Sequence, residues 1–170
     1  MSGRFIAAVP PKWQIPTVPP GADSLRILGL DVGARRIGVA VTDELGLYAH
    51  PLTVLPRQGT KKDVVRIRAL CAEQRTDHVV VGIPTEPDGE EGHRAARVRV
   101  LLAALAESGL RVEECDEQYS NVEAEEVLLE ADLSRARRKQ VIDRAAAAVI
   151  LDRWLAAQRE RPSAEGGSPR

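Results

Sequence analysis

The apolar positions near the start of the folded part of this chain predict three consecutive strands. Residues 25–32, LRILGLDV, form a nearly continuous apolar run, which is typical of a strand buried on both faces. Residues 37–41 alternate between branched and smaller side chains, which predicts a second strand and a hairpin that turns at residues 33–35. A third strand is predicted at residues 48–55, where Pro51 indicates an edge or irregular position.

The pattern then changes to alternating helices and strands. A first helix is predicted where apolar residues fall at helical spacing, at Val64, Ile67 and Cys71. The run HVVVGI predicts a buried strand that ends at Pro84. A second helix carries apolar residues at 98–105 and closes at Gly109, and the strand LRVEEC follows.

Two more helices complete the predicted order. Residues 120–123 have the S-x-x-E pattern of a capping box, which predicts a helix to about Ala131. Apolar positions between residues 141 and 154 predict the last helix. The order β-β-β-α-β-α-β-α-α joins an antiparallel hairpin region to βαβ crossovers, which predicts an α/β fold.

Length and composition predict one folded domain between two polar ends. The chain has 170 residues, of which 44% are hydrophobic, enough for a single core. Residues 1–24 hold five prolines and are expected to form a flexible arm, or alternatively an extended start. We expect the folded domain at residues 25–158 and a flexible tail at 159–170.

Charge and cysteine content limit the function classes. The formal net charge of −1 argues against a protein that binds polyanions over its whole surface, although local basic patches can still bind phosphates. Cys71 and Cys115 lack metal-ligand spacing and are expected to be buried reduced thiols. The sequence shows neither a membrane span nor a secretion signal, so we expect a cytoplasmic protein.

Three carboxylates fall at the ends of predicted elements and are the candidate catalytic and metal-binding residues. Asp31 closes the first strand, Glu117 follows the strand that ends at Cys115, and Asp143 lies in the last helix. Because the carboxyl ends of parallel strands gather at one edge of a sheet, Asp31 and Glu117 can share a cleft. The small residues after Asp143 would let the last helix pack close to the sheet and bring Asp143 in.

Three adjacent carboxylates repel one another unless they take up a proton or bind a cation. Oxygen ligands without His or Cys favour Mg²⁺ or Mn²⁺. Two such ions about 4 Å apart can support hydrolysis of a phosphodiester. The alternative is that each acid is a solvated charge or a helix cap, since the chain has 25 acidic residues.

Four segments together resemble a known family: GLDVGARRIGVAVTD, VVVGIPTEPDG, CDEQYSN and KQVIDRAAAAVIL. In this order they resemble the YqgF/RuvX family, relatives of the RuvC Holliday junction resolvase. The resemblance implies a ribonuclease H-like fold, a mixed five-stranded sheet with helices on both faces. It also implies that Asp31, Glu117 and Asp143 form an acidic triad.

The same resemblance implies a role in 5′-end processing of precursor 16S ribosomal RNA, while some members look like junction-cleaving nucleases. Gln118 stands where the family usually has an arginine. This replacement removes a bidentate phosphate donor and changes how the substrate would be held, without changing the three acids.

Basic residues around the acidic positions are the candidate nucleic-acid contacts. They are Arg35, Arg36, Arg135, Arg137, Arg138, Lys139 and Arg144. A second basic group, for which a solvated helix face is an equal alternative, consists of Arg57, Lys61, Lys62, Arg66 and Arg68. With 3% aromatic residues, recognition of backbone and shape is expected over base stacking.

Four further residues are secondary candidates, and two of them have a structural alternative. Gly33 would let a ligand approach the backbone after Asp31. Asp88 could approach a metal or cap a turn, and His93 could donate to a phosphate or be a surface histidine. Asp116 neighbours Glu117 and completes the group.

These observations favour a Mg²⁺- or Mn²⁺-dependent endonuclease that acts on structured nucleic acid, either branched DNA or precursor rRNA. A homodimer would suit the paired cuts of junction resolution. Two alternatives are a non-catalytic RNA-binding ribosome-assembly factor and a nucleotide-binding module of the actin/sugar-kinase type.

Overall fold

The computed structural model describes residues 26–84, 92–116 and 135–160, and only the helical backbone for residues 135–144. Within these ranges the chain forms five strands and three helices. In chain order they are β1 (Leu28–Val32), β2 (Arg36–Thr42), β3 (Ala49–Pro56), α1 (Thr60–Gln74), β4 (His78–Ile83), α2 (His93–Glu107), β5 (Arg111–Asp116) and α3 (Arg135–Glu160). The helix predicted at 120–131, the arm at 1–24 and nearly all of the tail lie outside the described residues.

The five strands form one mixed sheet in the order β3-β2-β1-β4-β5. β1 pairs antiparallel with β2 and parallel with β4, and β4 pairs parallel with β5. The predicted hairpin is confirmed, and its turn is closed by the Gly33 N–H, which donates to the Arg36 carbonyl at 2.8 Å. β3 is an edge strand, as Pro51 predicted, and its pairing with β2 shifts at a bulge between Val39 and Ala40.

Helices cover both faces of the sheet, as the resemblance implied. On one face, α1 and α2 contribute Ile67, Val98 and Leu101 to a core with the β1 residues Leu28 and Leu30. On the other face, the apolar residues of α3 pack on the sheet in a second cluster, at Ala147, Ala148, Ile150, Leu151 and Leu155. The sheet is therefore the middle layer of three, and β1 lies at its centre.

α3 lies close to the centre of the sheet because both surfaces have small residues at the contact. A Cβ atom added at Gly29 of β1 would lie 2.9 Å from the Leu151 Cβ atom and 3.0 Å from the Ala147 carbonyl oxygen. Ala146 and Ala147 are fully buried there. The expectation that the alanines after Asp143 let the helix backbone approach the sheet is confirmed.

The two cysteines differ in their surroundings. Cys71 is buried, and this burial, with a smaller contribution from Asp77, raises the pKa of its thiol to about 12. Cys115 is only half-buried, and its Sγ atom lies 3.5 Å from the Ile150 carbonyl oxygen. The expectation of two buried thiols was correct for Cys71 and wrong for Cys115, because β5 is an edge strand with one side open.

Of the helices in the described ranges, none has the length and apolar character that crossing a bilayer requires.

Candidate active site

Asp31 is half-buried near the carboxyl end of the central strand, opposite Gly38 of β2. Its neighbours Leu30 and Val32 belong to the core beneath α1 and α2, whereas Gly29 contacts α3. Because side chains alternate along a strand, Asp31 is on the same face as Gly29. The structure therefore places this carboxylate on the α3 face of the sheet, where the parallel strands end.

The direction of α3 brings its amino-terminal half toward the carboxyl edge. At the opposite edge, the Ala49 N–H donates to Asp152 at 3.1 Å and Arg159 donates to the Leu47 carbonyl at 2.6 Å. The helix then contacts position 29 of β1 through Ala147 and Leu151. α3 thus runs opposite to β1. Helix position 143 is one turn before Ala147, so its backbone lies beyond Gly29 on the side of Asp31.

The end of β5 approaches the same edge from two strands away. Glu113 and Cys115 are on the α3 face, since Glu113 accepts a hydrogen bond from Trp154 and Cys115 contacts Ile150. Asp116 alternates with these two residues and is therefore on the same face as Glu114, which forms an ion pair with Arg99 of α2. The secondary candidate Asp116 is thus on the face opposite Asp31. Glu117 is the next residue and lies outside the described ranges.

The three candidate ligands are therefore described to different extents. Asp31 is placed with its side chain, Asp143 by the backbone of α3, and Glu117 is outside the described residues. Among described side chains, no group of three His, Cys, Asp or Glu residues is arranged to hold a metal ion. The donor chemistry fits a hard cation, because a half-buried carboxylate at a strand end supplies the oxygen ligand that Mg²⁺ and Mn²⁺ prefer.

On the other face of the sheet, at the same edge, the structure contains a cavity of about 230 Å³. Its walls come from the β1–β2 turn, the segment before α1 and the first turns of α2. They are formed by Val32, Gly33, Ala34, Arg57, Gly59, Arg94, Arg97 and Val98. We call this the arginine cavity.

Arg57 is fixed in the wall of the arginine cavity by a buried acid. Its Nε atom donates to the fully buried Asp63 at 2.8 Å, and its Nη1 atom donates to the Gly33 carbonyl at 3.4 Å. Asp63 also accepts the Gln58 N–H at 2.9 Å. This pair joins the start of α1 to the turn that follows Asp31.

The basic groups named from sequence have different surroundings. In the second group, Arg57 pairs with Asp63 and Arg66 donates to the Pro56 carbonyl, while Lys61 and Lys62 are exposed. Of the hairpin arginines, Arg35 is exposed and Arg36 is half-buried. The remaining predicted contacts are all within the first ten residues of α3, which begins earlier than expected: Arg135, Arg137, Arg138, Lys139 and Arg144.

Two arginines of the cavity were not found from sequence. Arg94 and Arg97 are three residues apart at the start of α2, spacing that puts them on one side of the helix. Their position directly after a Gly- and Pro-rich loop could have drawn attention to them. His93 is the exposed first residue of α2, and Asp88 lies outside the described residues.

Comparisons with known proteins agree with this architecture. A family model described as "RuvX: Holliday junction resolvase" matches residues 25–157. A relative from Myxococcus xanthus, named "Putative pre-16S rRNA nuclease", is 47% identical over 136 residues, which are 79% of this chain and 90% of the relative. A relative of the same name from Symbiobacterium thermophilum is 48% identical over 139 residues, 81% of this chain and 96% of that protein.

One solved structure shares the fold at low sequence identity. RuvC from T. thermophilus, in complex with a Holliday junction substrate, superposes with a TM-score of 0.52 at 18% identity. The match covers 79% of this chain and 96% of that chain. The similarity supports the ribonuclease H-like architecture of the mixed sheet.

Proposed function

We propose that this chain, which belongs to the RuvX family of Holliday junction resolvases, is a metal-dependent endonuclease that cuts phosphodiester bonds in structured nucleic acid. The observation that carries the proposal is the position of Asp31. A half-buried carboxylate stands at the carboxyl end of the central strand, on the face along which α3 runs. A carboxylate at this position supplies the oxygen ligands that a hard divalent cation prefers.

In this proposal Asp31, Glu117 and Asp143 would hold Mg²⁺ or Mn²⁺ through carboxylate oxygens. Divalent ions supply the Lewis acidity that makes water a nucleophile near neutral pH and that stabilises a leaving oxygen. The chain's own part is to bring the acids of β1, α3 and the end of β5 to one edge. The close packing of Gly29 against Ala147 and Leu151 fixes α3 over β1 and supports this arrangement.

Substrate binding is assigned to the basic residues around these acids. We infer that Arg35 and Arg36 at the hairpin, together with the basic residues of the first turns of α3, contact phosphates of the substrate. Arginine suits this role because its planar donors can bind a phosphate in a bidentate manner. The net charge of −1 means that binding depends on these local groups and not on the whole surface.

The test is cleavage by an Asp31→Asn variant. We expect cleavage to fall by about 10³-fold, because a neutral amide is a poor ligand for a hard cation and several kcal/mol of transition-state stabilisation are lost. Binding of the substrate, measured without metal, should stay within about twofold, because the basic groups are unchanged. The assay compares a four-way DNA junction, duplex DNA and a precursor 16S rRNA fragment with Mg²⁺ or Mn²⁺.

Asp77→Asn is the matched control, since Asp77 is an exposed aspartate that precedes β4 at the opposite edge of the sheet. It should cut like the wild type. Cleavage by Asp31→Asn at the wild-type rate would reject the catalytic assignment. Binding of RNA without cleavage of any of the three substrates would instead favour the non-catalytic assembly factor, and tight ATP binding would favour the nucleotide-binding module.

A further inference from the structure

The arginine cavity lies at the same sheet edge as Asp31 but on the other face of the sheet. Val32 and Gly33, the two residues that follow Asp31 in the chain, are both in its wall. Val32 also belongs to the core beneath α1 and α2, whereas Asp31 faces α3. The proposed catalytic group and the cavity are therefore adjacent along the chain but open on different sides of β1.

The cavity carries a positive charge that the described residues do not neutralise. Its wall contains three arginines and no carboxylate. Asp63 balances Arg57, whereas no described ion pair involves Arg94 or Arg97. The Nε atom of Arg97 donates only to the His93 carbonyl, one turn back in α2, at 3.3 Å. Among the described residues, no carboxylate pairs with either of these two guanidinium groups.

The backbone around the cavity also favours an anion. α1 begins after Gly59 and α2 begins at His93, so two helices of 15 residues each start at this cavity. Their capping residues, Gly59 and Gly92, have no side chain that could accept from the first-turn N–H groups. Gly59 lines the cavity, so the positive end of the α1 dipole lies at this wall, whereas α2 lines the cavity through Arg94, Arg97 and Val98.

Two glycines in the wall of the arginine cavity, Gly59 and Gly33, leave its backbone accessible. Gly59 has a φ of 96°, in the region that favours glycine, and no atom lies within 4 Å of the position that a Cβ atom would occupy. A Cβ atom at Gly33 would lie 3.0 Å from the Arg36 carbonyl oxygen, so a side chain at this position would make a tight contact with the turn. A volume of about 230 Å³ with such walls fits one tetrahedral oxyanion together with its water.

We propose that the arginine cavity is a binding site for a phosphate group, held by Arg94 and Arg97 and positioned by the fixed Arg57. Taking the proposed function as given, the group is a backbone phosphodiester of the nucleic acid, contacted on the side of the sheet edge away from the acidic residues. A free phosphate has the same chemistry and is the second source that the experiment distinguishes. The cavity would then hold a part of the substrate other than the bond that is cut.

The experiment measures binding in EDTA, so that cleavage does not enter the readout. Arg94→Gln and Arg97→Gln are compared with Arg75→Gln, an exposed arginine that ends α1 at the opposite edge of the sheet. All three variants lose one positive charge. Affinity for the four-way junction and the rRNA fragment is measured over a range of salt concentrations. In parallel, inorganic phosphate is titrated calorimetrically at constant ionic strength.

We expect Arg94→Gln and Arg97→Gln each to weaken nucleic-acid binding about fivefold to tenfold at low salt. Each should also lower the magnitude of the slope of log K against log salt, by up to about 0.7 to 0.9, the contribution of one phosphate contact. Arg75→Gln should leave the slope unchanged. This result supports a backbone phosphate in the cavity.

A different pattern would support a free phosphate: inorganic phosphate binds the wild type but neither cavity variant, and all nucleic-acid slopes are equal. If the cavity variants match Arg75→Gln in both measurements, the phosphate site is rejected. Failure of the nuclease proposal is recognised separately, since it is tested by cleavage with Asp31→Asn and not by binding in EDTA.

Discussion

At the scale of single residues, the buried pair of Asp63 and Arg57 shows how one acid can organise a sheet edge. Asp63 is fully buried, whereas the Arg57 side chain is 18% exposed. The acid accepts from Arg57 and from the Gln58 N–H, and the Arg57 N–H donates to the Arg35 carbonyl at 2.9 Å. A single carboxylate therefore connects α1, the end of β3 and the hairpin.

Removing this acid should destabilise the protein strongly. We expect Asp63→Ala to lower the free energy of unfolding by roughly 3 kcal/mol, because the change leaves a partly buried guanidinium without its partner. Chemical denaturation measures the difference. Glu73→Ala is the control, since Glu73 is an exposed acid on the same helix and should change stability by less than about 0.5 kcal/mol. Equal stabilities of the two variants would contradict a structural role for the pair.

At the scale of elements, the contact between β1 and α3 sets the geometry of the proposed active site. The helix backbone lies against Gly29, and the Ala147 carbonyl is within 3.0 Å of where a Cβ atom would be. Asp31 is two residues along the strand from this contact, and Asp143 is one turn along the helix. The packing of small residues therefore fixes the distance between the two elements that carry these acids.

Gly29→Ala tests this contact. The added methyl group would lie 2.9 Å from the Leu151 Cβ atom, so the helix has to move away, and we expect a loss of about 1–3 kcal/mol in the free energy of unfolding. Cleavage per folded molecule should fall by at least about tenfold, because small displacements of ligating groups are costly to catalysis. Denaturation and cleavage below the transition measure both effects. A variant that is destabilised but cuts at the wild-type rate would show that this contact does not position the site.

At the scale of the whole molecule, the amino edge of the sheet contains a group of charges that makes stability depend on pH. His78 is buried at the start of β4, in edge-to-face contact with Trp154, with ring centroids 5.1 Å apart. Its Nε2 atom lies 3.0 Å from Glu113 of β5. Burial lowers the pKa of His78, and Arg111 lowers it further, against the opposing effects of Glu113 and Asp77.

The pKa of Glu113 is also lowered, but for a different reason. Burial raises its pKa, but hydrogen bonds from Arg111 and Trp154 and the charges of His78 and Arg111 outweigh burial, so the pKa is below its ordinary value. The carboxylate therefore contributes stability that is present above its unfolded pKa of 4.5 and is lost as the pH falls through its folded pKa.

Acidification should therefore destabilise the fold in two steps. Below pH 6.5, the His78 pKa in the unfolded chain, the unfolded chain binds a proton at this residue but the folded protein does not. The free energy of unfolding therefore decreases as the pH falls, until the pH reaches the lower pKa of His78 in the folded protein. The loss of the Glu113 contribution follows at lower pH. Urea denaturation between pH about 2 and 8 measures both steps.

His78→Gln should abolish the first step, whereas His50→Gln should keep it, because His50 is exposed on the edge strand. A first step that persists in His78→Gln would assign the pH dependence to another group.

Most of the fold could be predicted from local patterns in the sequence. The hairpin at 33–35, the edge position of β3, the buried strand at 78–83 and the helix that ends before Gly109 are all confirmed. These features depend on side-chain alternation, helical spacing and the special geometry of Pro and Gly, which act over a few residues. The extent of α3 was underestimated, since its first turns are polar and have no apolar period.

The residues available for chemistry could be read from the sequence alone: an aspartate at the end of a buried apolar strand, further acids at 117 and 143, and basic residues around them. The face of the sheet on which each group lies depends on how the strands pair and the helices pack. Strand pairing and helix packing put Asp31 on the α3 face, Asp116 on the other, and Arg57, Arg94 and Arg97 around one cavity. Residues far apart in the chain meet only when the sheet register and the helix contacts form, and no local pattern contains that information.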